Sequence, residues 1–143
     1  MKLLEKHMPL VADEQILNHL KGNAYNMSSN IVLRILGNIE RIFSLLTGSQ
    51  KTVDVIVTDN RVITIEVSKF LWIFDGTVRA RSYTPRSVSQ VGYALQRELL
   101  IFKSHYLEFI SGSSSYLVKS KDGKTKVYEM IKSLVSLADK VKS

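Results

Sequence analysis

Arg79 and Arg81 stand two residues apart in a run of strand-forming residues, so alternation puts both guanidinium groups on one strand face. Lys69, just before the preceding strand, and Arg86, just after this one, are placed to extend that basic surface. Arginines in a row grip phosphate through paired bonds, whereas a lysine acts as a point charge. Lys69, Arg79, Arg81 and Arg86 are therefore the candidate ligand-binding residues, and an anionic lipid or another phosphorylated ligand is what they would read. The competing reading is a solvated strand face whose charges guard a sheet edge against unwanted pairing.

Other chemistry finds little support. His7, His19 and His105 stand alone, without the spacing that converges several ligands on one metal ion. No Gly-x-Ser-x-Gly holds a serine on a strained turn, and Gly112-Ser113-Ser114-Ser115 lacks the lysine of a phosphate-binding loop, so it reads as a turn. The 13 carboxylates are scattered, and no pair is poised for acid–base work. With no cysteine there is no thiolate ligand, no cysteine nucleophile and no disulfide, which suits a reducing compartment. The expectation is a non-enzyme with neither metal nor cofactor. Nucleic acid is not an expected partner, because aromatics that could stack on bases are barely interleaved with the basic residues.

The elements that must position these residues follow from periodicity. Leu3, Leu4 and Met8 suggest a helical turn stopped near Pro9. Glu14 to Tyr25 fits either a helix or a first strand with Gly22 at a bulge. Ile31, Ile35, Ile39, Ile42 and Leu46 recur at helical spacing, so residues 29–46 are expected to form an amphipathic helix capped by Ser28 or Ser29 and stopped by Gly48. Strands then follow in series: Thr52 to Thr58, a turn at Asp59-Asn60, Arg61 to Val67, and Phe70 to Phe74. An Asp75-Gly76 hairpin turn leads to Thr77–Tyr83. Pro85 breaks that strand, and Ser87 to Leu95, one or two strands within 99–111, and Tyr116 to Ser120 complete the set. Val127, Met130, Ile131, Leu134, Leu137, Ala138 and Val141 mark a closing helix over 124–141.

Ile56-Val57-Thr58-Asp59-Asn60-Arg61-Val62-Ile63 resembles the apolar–apolar–Thr–Asp–x–Arg–apolar hairpin of the bacterial pleckstrin-homology-like family. Pro85-Arg86-Ser87-Val88-Ser89-Gln90-Val91 and Val127-Tyr128-Glu129-Met130-Ile131 fit later segments of that family, so the resemblance spans about residues 50–141. It implies a bent antiparallel β-barrel with one end closed by the C-terminal helix, and a tendency to self-associate. The helix at 29–46 departs from the pattern and leaves the placement of the first strand open. Read as residues, Asp59 and Asn60 tolerate left-handed backbone, and Thr58 and Arg61 can pair across the turn, which are folding roles.

The chain of 143 residues, 45% hydrophobic and 23% charged, is expected to form one α+β domain: an N-terminal segment, 1–50, and a core, 51–143. Its net charge of +7 permits nucleic acid, anionic lipid or an acidic partner without choosing among them. The 29–46 helix is too short and too charged to span a bilayer. Its wide stripe favours packing on the sheet or between protomers over lying on a membrane. Val32, Ile35, Ile39, Phe43 and the strand residue Trp72 are the candidate oligomer interface. The function expected is a binding or assembly module acting as a homo-oligomer, cytoplasmic, with peripheral lipid binding as the alternative.

Overall fold

The computed structural model describes residues 2–25, 50–70, 74–98 and 102–140. The helix expected over 29–46, with Val32, Ile35, Ile39 and Phe43, and the residue Trp72 lie outside the described residues.

Valine and isoleucine dominate the centre of the chain, and their branched side chains suit the pleated surface of a sheet. A short helix, α1 (Lys2–His7), precedes β1 (Ile16–Tyr25), β2 (Gln50–Thr58), β3 (Val62–Phe70) and β4 (Phe74–Tyr83). A single 3-10 turn (Pro85–Ser87) leads to β5 (Val88–Glu98), β6 (Phe102–Ser111) and β7 (Ser114–Ser120), and α2 (Gly123–Lys140) closes the chain. The seven strands form one antiparallel sheet in the order β4-β3-β2-β1-β7-β6-β5. The chain is therefore mostly β with a C-terminal helix, and β4 and β5 are the two edges of a sheet that does not close into a barrel.

The sheet is nonetheless folded over on itself. In a flat sheet β4 and β7 would lie four strand spacings apart, roughly 19 Å. Yet Arg81 Nη1 on β4 donates to Ser114 Oγ on β7 at 2.9 Å, and the Tyr83 and Tyr116 hydroxyls share a 2.6 Å hydrogen bond. Side chains standing off a flat sheet cannot span that gap, so the β1–β4 half curls to face the β5–β7 half.

The strand at the fold is β1, which pairs with β2 along most of its length and with β7 at its end. Gly22 faces Val53 on one side and Ser120 on the other, and a Cβ there would run into the backbone carbonyl of Lys119. Glycine at 22 lets the two halves approach.

The concave face buries Leu20, Val53, Val55, Val57 and Val62 against Leu107, Phe109, Tyr116 and Val118. Val127, Met130, Leu134 and Leu137 of α2 complete this core, a one-sided helical stripe in which each burial contributes about 1.5–3 kcal/mol. Asn18, beside an irregularity in β1, tethers the helix: its Nδ2 donates to Ser133 Oγ at 3.0 Å and its Oδ1 accepts from Lys126 Nζ at 2.9 Å. A second core lies on the convex face, where Leu4 of α1 packs on Ile56, Ile63, Ile65 and Val67. Strands β2 and β3 are thus buried on both faces, which explains a nearly continuous apolar run.

Two readings left open are resolved and one expectation changes. Glu14–Tyr25 resolves into a strand beginning at Ile16. Asp75-Gly76 is not a turn: both residues belong to β4, and Asp75 pairs with Lys69 beyond a register shift after Val67. Ser68 fills that irregularity, accepting from Thr77 N at 2.9 Å, and a Cβ on Gly76 would stand 3.0 Å from its hydroxyl. The glycine there serves close approach at a bulge. The third concerns residues 99–111, where the described strand is a single one, Phe102–Ser111, paired along its length with β5.

Candidate binding surfaces

Arg79 and Arg81 share one face of β4, as alternation requires, but that face is the concave one, opposite Glu66 and Thr64 of β3. Arg81, although on an edge strand and 37% exposed, is bonded across the rim. Its Nη1 donates to Ser114 Oγ at 2.9 Å and to Tyr116 Oη at 3.4 Å, and lies 4.0 Å from Glu66 Oε1. Tyr116 Oη in turn donates to Glu66 Oε1 at 3.3 Å and bonds Thr64 Oγ1 at 3.3 Å. The rim between the two halves of the sheet is closed by this polar cluster, with the Tyr116 ring stacked on Phe109.

The cluster separates two tyrosines electrostatically. Burial pushes the Tyr116 hydroxyl up, and the neighbouring Tyr83 adds to it, against the opposing bond to Thr64; the result is about 12. At Tyr83 burial acts upward too, but the bonds from Ser114, Tyr116 and Arg81 outweigh it and lower the value. Tyr83 and Tyr116 in turn hold the Arg81 guanidinium more firmly charged.

Of the other basic candidates, Arg79 is exposed on β4, Arg86 is exposed in the 3-10 turn after that strand, and Lys69 pairs in register with Asp75 at the far end of β3. The structure therefore brings Arg79 and Arg81 to one face and leaves Lys69 and Arg86 at separate places.

The Thr-Asp-x-Arg hairpin does more than turn the chain. Thr58 Oγ1 accepts from Arg61 N and Thr58 N donates to the Arg61 carbonyl, each at 2.9 Å, so the expected pairing across the turn is present. Sequence reasoning missed Glu14. The Arg61 guanidinium donates to both its carboxylate oxygens, at 2.8 and 2.9 Å, and Thr58 Oγ1 adds a third bond at 2.7 Å. Arg61 Nη2 also donates to the Pro9 carbonyl at 3.0 Å, and Val11 N donates to Glu14 Oε2 at 2.9 Å. The Glu14 side chain is fully buried. Arg61 chiefly, with Thr58 and Val11 N, outweighs the upward push of burial and holds its carboxyl down at about 2. This hairpin is the lock that seats the N-terminal arm on the convex core.

The histidines are dispersed. His19 Nε2 lies 3.7 Å from Oδ1 of the buried Asp54, and His105 Nδ1 shares a 2.8 Å hydrogen bond with Tyr93 Oη. Among the described residues no three of His, Asp and Glu come together as metal ligands.

Among the described residues the two edges of the sheet differ. β4 presents Arg79 and Arg81, whereas β5 carries no charge from Val88 to Gln96. Along β5, Tyr93 stacks on Tyr128 of α2 at 5.1 Å, and Leu95 is 47% exposed. Phe102, opposite Glu98 on β6, is 62% exposed, and Tyr128 and Val135 are exposed on α2. No helix among the described residues is long and apolar enough to cross a membrane. Compared with family models, with curated proteins and with solved structures, the chain matches none.

Proposed function

We propose that this chain is a non-enzymatic binding and assembly module of pleckstrin-homology type that acts as a homo-oligomer. The observation that carries the reading is the contrast between the sheet's edges. A long edge strand offers unpaired backbone donors and acceptors to any matching strand, and folded proteins blunt such edges with charge, proline or cover. β4 has that protection in Arg79 and Arg81; β5 runs from Val88 to Gln96 without a charge or a proline. Leu95, exposed on the face that β5 shares with Tyr93, supplies apolar surface beside it. The pleckstrin-homology part of the proposal draws on the Thr58–Arg61 hairpin, the curled antiparallel sheet and the C-terminal helix packed into its concave side.

Light scattering coupled to size exclusion tests it. A mass at a multiple of 16.2 kDa at high micromolar concentration is expected, and a monomer throughout overturns it.

A second reading, recognition of an anionic ligand, is favoured by Arg79, exposed beside Arg81 on the concave rim. Arg79→Glu would abolish binding to anionic vesicles at low salt, where exposed charges are least screened. No binding by the unaltered chain at low salt overturns it.

A further inference from the structure

We infer that two copies of this chain pair edge to edge through β5, antiparallel, about a two-fold axis at Tyr93; the inference rests on the assembly reading above. A two-fold axis requires a surface that complements itself, each residue meeting its counterpart at an equal distance from the axis. Few strands satisfy this, because like charges opposed across an antiparallel pair are destabilising.

β5 satisfies it with the axis at Tyr93. Val91 then meets Leu95 of the other copy, Gly92 meets Ala94, Gln90 meets Gln96, and Tyr93 meets itself. Every pair from Gln90 to Gln96 is apolar with apolar or amide with amide. The first charged pair in either direction joins Arg97 to Ser89, so no two like charges face each other.

The two faces are matched as well. Val91 and Tyr93 pack against the concave core, with Tyr93 stacked on Tyr128 of α2. Pairing at this edge would draw the half-exposed Leu95 and the exposed Tyr128 under cover on the same side. On the opposite face Gly92 meets Ala94, a small residue against a small one. The register shift between Val88 and Gln90 ends regular alternation at one limit of the matched segment. Among the described residues β5 pairs only with β6, so its outer edge offers backbone groups to a second strand. A single strand pair is a small contact, so the dimer should depend on concentration.

The chain has no cysteine of its own, so introduced thiols report uniquely. Tyr93→Cys, on the axis, should cross-link to itself under a mild thiol oxidant such as diamide. Val91→Cys and Leu95→Cys should each stay single alone and cross-link when mixed. Arg79→Cys, on the other edge, should not cross-link. Because Tyr93 also packs on Tyr128, the mixed pair keeps the test valid if Tyr93→Cys folds poorly. Leu95→Arg should raise the dissociation constant at least tenfold by setting a charge against the other copy's Val91. If the chain is oligomeric yet neither cross-link forms and Leu95→Arg changes nothing, pairing through β5 is wrong while self-association stands. A monomer at all concentrations overturns both.

Discussion

The Glu14 carboxylate accepts two parallel bonds from the Arg61 guanidinium, at 2.8 and 2.9 Å, joining residues 47 apart in sequence. The carboxylate is sealed from water and further bonded by Thr58 Oγ1 and Val11 N. Removing one member of a buried pair strands the other, at a cost of roughly 3–5 kcal/mol. Glu14→Ala should therefore lose about that much stability in urea unfolding. A loss under about 0.5 kcal/mol, the range of ordinary surface substitutions, would contradict the lock described here.

The same pair sets the response to acid. The carboxyl of Glu14 is lowered from 4.5 to about 2 in the folded chain. Its contribution is present above pH 4.5 and is lost as pH falls from 4.5 toward 2, because the unfolded chain takes up the proton first. That contribution is on the order of 3 kcal/mol. Unfolding measured across this window should show a stability decline in the natural chain that is much reduced in Glu14→Gln. Equal declines in both would place the acid sensitivity elsewhere.

At the alkaline end the rim tyrosines carry the prediction. Tyr116 is raised to about 12 and Tyr83 is lowered, so of this pair Tyr83 ionises before Tyr116. A folded value raised above the usual 10 adds stability below pH 10 that is lost as pH climbs from 10 to about 12. Ultraviolet titration should show a late-ionising tyrosine that disappears in Tyr116→Phe. Its persistence in that variant would contradict the assignment.

Gly22 tests the curl of the sheet. A Cβ at this position meets the Lys119 carbonyl, which belongs to a paired backbone and cannot swing away. Gly22→Ala should cost roughly 1–3 kcal/mol, the usual range for overpacking, despite alanine's better strand entropy. Gly112→Ala gives a useful contrast: nothing crowds its Cβ, and its cost should come only from its φ of +59° in the turn between β6 and β7. A neutral Gly22→Ala would mean the halves do not meet as closely as described.

Much of this fold was legible where the signal is local. The apolar stripe of α2 is a helical repeat, and its predicted start differs by one residue from Gly123, while the predicted last residue, Val141, lies outside the described residues. The Thr58–Arg61 turn was readable because both partners sit within four residues. Long-range relations were not. Nothing near Glu14 announces that Arg61 will reach it, since the pairing depends on how β1 lies against β2. Arg79 and Arg81 were correctly assigned to one face, but alternation cannot say which face is concave, and only the curl of the sheet turns Arg81 toward Ser114 and Tyr116. Asp75-Gly76 carried a hairpin signal, yet the same dipeptide suits a bulge, where the missing Cβ makes room for Ser68.

We propose that this chain assembles with itself along the edge strand β5. Sedimentation velocity over a micromolar concentration series, on the natural chain and on Leu95→Arg with matched circular dichroism, tests it most directly. The natural chain is expected to rise above the 16.2 kDa monomer with concentration while Leu95→Arg remains folded and sediments as the monomer. A natural chain that stays at 16.2 kDa across the whole series would contradict it.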